Sequence, residues 1–282
     1  MRLAVETVET QLEVSVHGSI SLGLRNEVVS SVGNCYARMG VPLPPAVALR
    51  FFDTTERLLA EQEREQRALG VVSGGIDPLP VGHSGWGDMP RVTICAELLQ
   101  PQPELLRAGM VHVAAAHAVL HGSTDYYLFH IPAEIVRQAQ ADAIDSALLQ
   151  QLLYHVATAV KGHAAVRLLV SHGFIADQIA LALHQLELTP EDLLAWRLAA
   201  TSRQARSLYL MAQLRPLLAA YPLLPHAPSL TGLMRQLMAH LPAMDRDGLL
   251  KLSASIGAML GDDTRSDIQR AFSQAWEYLV RR

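Results

Sequence analysis

The stretch RVTICAELLQPQPELLRAGMVHVAAAHAVLHGSTDYYLF, residues 91–129, decides the expected fold. Its first eight residues, Arg91–Leu98, alternate in part between apolar and polar and are rich in types that favour β-structure, which predicts a strand. Pro103 and Glu104 then open a long helix that ends near Gly122. The sequence therefore predicts a strand that leads within a few residues into a helix carrying three histidines.

The three histidines do not share one face of that helix. Each residue of an α-helix turns the chain by about 100°, so His117 and His121, four residues apart, are neighbours on one stripe. Val113 lies one turn earlier on the same stripe. His112 points about 140° away from His117, which predicts a surface or interface position for it. Two imidazoles that reach one point beside a helix are candidate metal ligands.

This segment resembles zincin-like metallopeptidases, which read H-E-x-x-H-x-x-L-H-G-S followed by paired tyrosines. The part A-x-L-H-G-S-x-x-Y-Y is intact here, at Ala118, Leu120, His121, Gly122, Ser123, Tyr126 and Tyr127. In that family the two histidines hold Zn²⁺ and the glutamate activates the metal-bound water.

The resemblance also shows what this chain lacks. It maps the second motif histidine onto His117, the first onto Val113 and the glutamate onto Ala114, so that the motif reads Val113-Ala114-Ala115-Ala116-His117. Valine has no lone pair to give a metal, and alanine cannot accept a proton from water. The resemblance therefore implies a metallopeptidase helix that has lost its chemistry.

A second loss follows from the same resemblance. Residues 159–170, AVKGHAAVRLLV, look like the downstream helix that supplies a third, acidic ligand, yet neither Gly162 nor Ala164 is an acid. Tyr126, Tyr127 and His163 are left as candidates to line a cleft. The two tyrosines are expected to act as structural anchors or, alternatively, to polarise a substrate carbonyl. The resemblance makes Arg91–Leu98 the edge strand that borders this cleft.

A metal site at His117 and His121 needs at least one further ligand. Asp125, His130, Asp142 and His163 are candidates, and none has a distinctive spacing. Three interpretations are open at this point: histidines bonded to neighbours or water, a residual non-catalytic metal site, and an active hydrolase. His83, in the glycine-rich loop GHSGWGDMP, is too close in sequence to Ser84 and Asp88 for a catalytic triad, although such loops can line clefts.

The rest of the chain predicts a mainly helical α+β protein. Strands are expected at Leu12–Val16 and Ala46–Phe52, with helices at Leu22–Met39 and Thr54–Leu69, and Ser73–Pro90 is expected to be a loop. Everything after residue 130 has helical spacing. Helices are expected at Ala133–Gly162 and Ala164–His172, interrupted at residue 163, and Thr189 is expected to cap a further helix. The expected architecture is a short sheet with a zincin-like active-site helix, followed by a helical carboxy-terminal half.

The domain prediction follows from one proline-rich segment. YPLLPHAPS, at Tyr221–Ser229, holds three prolines in nine residues and is a candidate boundary. We therefore expect a zincin-like core at 1–222, with a strand and helix part at 1–130 and a helical part at 131–222. A small helical appendix is expected at 229–282.

Composition excludes several functional classes. The net charge of the 282 residues is −4 and no segment is strongly basic, which argues against nucleic acid. The apolar helix near Leu105–Leu120 is too short and too often interrupted to span a membrane. The amino terminus lacks the apolar core of a signal peptide, so a cytoplasmic location is expected. The two cysteines are not spaced as zinc ligands.

These observations favour a non-catalytic relative of zinc metallopeptidases that acts as a binding or scaffold protein, with a protein or peptide as partner. No cofactor is expected, and zinc is the metal that a residual site would hold. One alternative is a metal-dependent hydrolase that uses His117, His121 and a third ligand from a later helix. Another is a helical interaction protein of unrelated ancestry. No oligomeric state follows from the sequence.

Overall fold

The computed structural model describes residues 10–40, 42–68, 78–87 and 89–281. The chain forms two compact units, Met1–Tyr127 and Leu128–Arg282. The proline-rich segment that the sequence marks as a boundary lies inside the second unit. Helices dominate and the described residues form one four-stranded sheet, so the predicted mainly helical α+β class is confirmed.

The first unit contains the sheet and the histidine helix. Its elements are β1 (Gln11–His17), α1 (Leu22–Met39), β2 (Ala46–Phe52), α2 (Thr55–Ala68), β3 (Val81–Ser84), β4 (Arg91–Cys95), α3 (Ala96–Leu99) and α4 (Glu104–Leu120), followed by a 3₁₀ turn at Thr124–Tyr126. The strand order is β1-β2-β4-β3, with β1, β2 and β4 parallel and β3 antiparallel to β4.

The short strand β3 lies where the sequence predicts a loop. The sequence predicts a loop over Ser73–Pro90, of which residues 73–77 and 88 lie outside the described residues, yet Val81–Ser84 pairs with β4. Two of the four residues of β3 are Gly82 and Ser84, so no apolar alternation marks it. The expected edge strand, β4, therefore lies inside the sheet, and the strand at that edge is β3.

Apolar side chains are buried on both faces of the sheet, in two separate layers. Leu49, Phe51, Val92 and Ile94 are fully buried on the face where β3 carries His83. On the opposite face, Phe52 and Cys95 pack against Leu58 of α2. Arg50 and Arg91 on that face pair with Glu61 and Glu65 of α2. The sheet is thus fixed on this second face by both apolar packing and charge.

Helix α1 joins the same layer as α4. Ser31 of α1 hydrogen-bonds His112 of α4 over 2.9 Å, and Arg107 of α4 binds Glu27 of α1 over 2.8 Å. Helix α1 ends, as predicted, at Gly40, whose φ of 57° is left-handed. Of the two positions predicted for His112, at the surface or at an interface, the surface position is wrong, because its side chain is buried at this contact with α1.

The second unit is helical throughout the part that the structure describes. It comprises α5 (Ala133–Ala141), α6 (Ser146–Ser171), α7 (Ala176–Gln185), α8 (Pro190–Ala199), α9 (Arg203–Ala212), α10 (Leu214–Ala220), α11 (Leu230–Leu237), α12 (Ala243–Met259) and α13 (Thr264–Leu279). The long helix α6 is central, and α9, α10 and α13 pack against it. Among the described helices, none combines the length and the apolar character needed to cross a bilayer.

Helix α6 begins elsewhere than the sequence suggests. The expected interruption at residue 163 does not occur, because α6 runs continuously past Gly162. The interruption lies instead before Ser146, where the Asp145 carboxylate caps the helix by accepting from the Leu148 N–H. The expected cap at Thr189 is confirmed as a reciprocal capping box with Asp192.

Replacing glycine by alanine is expected to change the stability of the first unit in opposite directions at Gly33, inside α1, and at Gly40, directly after it. A Cβ at Gly33, inside the helix, or at Gly40, just after it, would meet none of the described neighbours within 4 Å. We expect Gly33→Ala to stabilise the first unit by about 0.5–1 kcal/mol, since alanine is the better helix former. Gly40→Ala should destabilise it by about 1–2 kcal/mol because of the positive φ.

Hydrogen exchange of the α1 amides in a urea series measures both effects without requiring the whole chain to unfold in one step. Two shifts of the same sign would contradict the conformations assigned to these glycines.

Candidate functional site

Helix α4 brings the histidines to the sheet. Pro103 stands at its N-cap and Glu104 in its first turn, where a carboxylate interacts favourably with the helix dipole. Four alanines of α4 are buried, at Ala114, Ala115, Ala116 and Ala118. Small side chains of this kind let neighbouring elements approach the helix closely. The helix ends at His121, whose N–H donates to the His117 carbonyl over 2.8 Å.

His117 and His121 form a buried pair, as their spacing predicts. The side chain of His121 is 0% exposed and that of His117 is 5% exposed. Their Nδ1 atoms are 2.9 Å apart, which is a hydrogen bond. One Nδ1 must therefore carry a proton and the other must supply the lone pair that accepts it. The two histidines are therefore hydrogen-bonded to each other through their Nδ1 atoms.

A third histidine, which the sequence analysis did not assign to the site, completes the cluster. The ring of His83 in β3 stacks on the ring of His117, with centroids 3.8 Å apart and planes within 5°. His83 faces α4 because it lies opposite Val92, whose side chain is on the same buried face. The sequence carries one signal for this, a histidine next to glycines that allow close backbone approach.

Two tyrosines and a tryptophan extend the cluster. Tyr126 packs edge-on against His121, with ring centroids 5.1 Å apart, and Tyr127 lies 5.2 Å from Trp86. Burial raises the pKa of Tyr127 to about 12, while a hydrogen bond from the Gly85 backbone works in the opposite direction. The tyrosines that the sequence predicts as anchors thus lie beside the histidine pair and the loop after β3.

Two glycines make this packing close. A Cβ at Gly85 would lie 2.8 Å from the Gly122 carbonyl carbon and 2.9 Å from both the Ser123 nitrogen and the Tyr127 ring. A Cβ at Gly122 would lie 2.3 Å from the Ala118 oxygen. Backbone therefore meets backbone where β3 passes the end of α4, and no larger residue fits at either position.

The residues present do not fit a zinc ion in this arrangement. Ligand nitrogens direct their lone pairs at zinc from about 2.0–2.1 Å, whereas the Nδ1 atoms of His117 and His121 are directed at each other. Val113 is half-buried and Ala114 is 2% exposed, and neither offers a donor. Within the described ranges, no group of three or more histidine, cysteine or acidic side chains could hold a metal ion.

The other predicted ligands are dispersed along the chain. Asp125 is exposed in the 3₁₀ turn of the first unit. His130 and Asp142 are exposed residues of the second unit. His163, predicted to line the cleft, is buried in α6 of the second unit, where its Nδ1–H donates to the Leu218 carbonyl over 3.1 Å.

Burial lowers the pKa of His163 to about 4, and this hydrogen bond partly opposes the effect.

Comparisons with protein-family models, with curated proteins and with solved structures gave no match. The resemblance to zincin-like metallopeptidases therefore stays a prediction based on the residues of α4 and the segment that follows it.

Two glycines, one in β3 and one directly after it, test the close packing against α4. Gly85→Ala should destabilise the first unit by about 1–3 kcal/mol, since the added methyl group forces the segment after β3 away from the end of α4. Gly82→Ala, within β3, is the control, because its Cβ would meet no described atom within 4 Å. Exchange rates of the β3 and β4 amides measure the difference, and equal rates in the two variants would contradict the packing.

The acid stability of the second unit tests the environment of His163. Its pKa of about 4 lies below the ordinary histidine value, so the unfolded chain binds the proton first. Stability should be complete above pH 6.5 and fall as the pH drops towards 4. His163→Asn keeps a donor near the Nδ1 position and cannot titrate, so its stability should depend less on pH in this window.

Unfolding midpoints measured between pH 7 and pH 4 would show the effect, with the exposed His184→Asn as control. His155, whose pKa burial also lowers, and Glu134, whose pKa the hydrogen bond from Arg137 lowers, contribute to the dependence that remains. An unchanged pH dependence in His163→Asn would be the contrary result.

Proposed function

We propose that this protein is a non-catalytic relative of zinc metallopeptidases that acts as a binding or scaffold protein, with a protein or peptide partner. One observation carries the proposal. On the stripe of α4 that would hold zinc, the family's first histidine is Val113 and its glutamate is Ala114, while His117 and His121 hydrogen-bond each other through Nδ1.

The chemistry of peptide hydrolysis explains why these replacements matter. A metallopeptidase needs a metal to lower the pKa of water and a carboxylate to take its proton. Val113 cannot bind the metal, and the methyl group of Ala114 cannot accept the proton. His117 stacks on His83 and hydrogen-bonds His121, and His121 has no exposed surface through which a substrate could reach it. What such a scaffold can still offer is non-covalent binding.

The proposal includes a cytoplasmic location. The two cysteines, Cys35 and Cys95, are buried in the first unit as thiols and not as a disulfide, which is typical of a reducing compartment.

A second candidate function is a metal-dependent hydrolase, and His83 is the observation that favours it. His83, His117 and His121 together bring three imidazoles to one place, which is the number of protein ligands in several catalytic zinc sites. For these three to share a metal, the His83 ring would have to leave its stack on His117. The hydrolase would also need a proton acceptor in place of the missing glutamate.

Zinc content and peptidase activity separate the two candidates. We expect the purified chain to hold substoichiometric zinc, and chelators to leave its thermal midpoint unchanged, because no metal contributes to folding. Any hydrolysis of unstructured peptides should be the same in the wild type and in His117→Ala. Stoichiometric zinc together with a peptidase activity that His117→Ala abolishes would overturn the proposal in favour of the hydrolase.

A gain of metal affinity tests the ancestry that the proposal assumes. Val113→His restores a ligand on the stripe of His117, at a half-buried position. We expect its zinc dissociation constant to fall at least about tenfold below that of the wild type. Val119→His is the matched control, because Val119 is also half-buried and points about 160° away from His117.

Titration calorimetry with zinc measures both variants. Equal affinities in the two variants would favour the third interpretation, a helical interaction protein without metallopeptidase ancestry.

A further inference from the structure

The strand at the opposite edge of the sheet, β1, directs backbone groups outward that pair with no other described strand. The Gln11 N–H donates to the Pro45 carbonyl over 2.9 Å, and the His17 carbonyl accepts from the Asp53 N–H over 3.1 Å. Within a strand, the N–H and C=O of one residue point the same way and successive residues alternate. Odd-numbered residues of β1 therefore bond to β2.

The even-numbered residues Leu12, Val14 and Val16 direct their N–H and C=O groups to the outer edge. In the described part of the chain, no strand pairs with that edge.

The side chains of the same three residues form an uncovered apolar strip. In the register of β1 with β2, Val14 lies beside Leu49 and Val16 beside Phe51. Leu49 and Phe51 are fully buried, whereas Val14 is 46% exposed and Val16 is 37% exposed. The apolar face of the sheet thus continues onto β1 but is not covered there. An edge strand with exposed valines is a template for pairing with another strand.

We propose that β1 pairs antiparallel with β1 of a second copy of this chain, about a twofold axis at Val14. The two four-stranded sheets then form one continuous sheet across the dimer. This interface lies at the edge of the sheet opposite β3 and its histidine cluster, and it does not depend on the proposed function.

Self-pairing in this register uses every outward-facing group. With Val14 opposite Val14 of the partner subunit, Leu12 lies opposite Val16 of the partner subunit, and each such pair exchanges two backbone hydrogen bonds. All three apolar side chains then meet their counterparts on one face, where apolar cross-strand pairs stabilise a sheet. The interface is the same patch on both copies, as a twofold dimer requires.

Charge selects this register over its neighbours. With Val14 on the axis, Glu13 faces Ser15 of the partner subunit, and no like charges are opposite each other. A shift that places Glu13 on the axis would set two carboxylates opposite each other, which is destabilising. A shift that places Ser15 on the axis would set Leu12 opposite Gly18, where the chain has left the strand with a φ of 95°. The Val14 register alone combines full overlap with compatible charges.

Amide exchange resolved by residue tests the interface on the intact chain. We expect the Leu12, Val14 and Val16 amides to exchange rapidly at low protein concentration and to become protected as the concentration rises. The amides of Glu13 and Ser15, which bond to β2, should be protected throughout. Protection of Val14 that does not change with concentration would mean that another part of the same chain covers this edge, and would overturn the proposal.

A charge exchange at Ser15 tests the register, since its exposed side chain can be replaced without disturbing the core. Ser15→Lys places an ammonium opposite Glu13 of the partner subunit at two symmetric positions, and Ser15→Glu places a carboxylate there. The dimer dissociation constant should fall about 2- to 30-fold in the first variant and rise by a similar factor in the second. Effects of equal sign, or none, would overturn the register.

Proline at Val14 tests the backbone contribution. Val14→Pro removes an N–H that points away from β2, a position at which edge strands accept proline. Sedimentation velocity over a concentration series should show a monomer for Val14→Pro and a dimer for both the wild type and the control Val14→Ile. Circular dichroism confirms that each variant is folded. A wild-type chain that stays monomeric up to about 1 mM, or a Val14→Pro variant that dimerises as the wild type does, would overturn the proposal.

Discussion

The arrangement of the first unit depends on the contact between β3 and the carboxy-terminal end of α4. Gly85 and Gly122 bring backbone against backbone there, and the ring of His83 stacks on that of His117 at 3.8 Å. The contact joins the last strand of the sheet to the helix that covers one of its faces. Because the backbones touch, neither element can shift without breaking the histidine cluster. This one contact therefore brings His83 of the sheet to His117 and His121 of the helix end.

The histidine pair lies at the same contact. His117 and His121 are buried near the end of α4, and their Nδ1 atoms hydrogen-bond over 2.9 Å, with the Tyr126 ring against that of His121. A buried hydrogen bond of this kind stabilises the packing and occupies the Nδ1 lone pair of one of the two rings. A metal bound through both Nδ1 atoms would require this hydrogen bond to break.

The two edges of the sheet differ in how well they are protected from pairing with a further strand. At one edge β3 is short, half-buried and held against α4, which protects it from further pairing. At the other edge β1 is seven residues long, exposes Val14 and Val16, and directs three sets of backbone groups outward. A sheet that is protected at one edge and open at the other has a single direction in which it can be extended. The proposed dimer extends it there and leaves the histidine cluster unchanged.

The sequence by itself determined the local elements and the residue types along α4. Helical spacing places His117 and His121 on one stripe, Gly40 ends α1, and the absence of a carboxylate at Ala114 is visible without any coordinates. The local signals were strong because they depend on neighbours within one or two turns. Only the tertiary structure decided that β3 is a strand, that His83 stacks on His117, and that His112 is buried against α1. These three facts depend on residues far apart in the chain, and a four-residue strand containing glycine gives no periodic pattern from which they could be inferred.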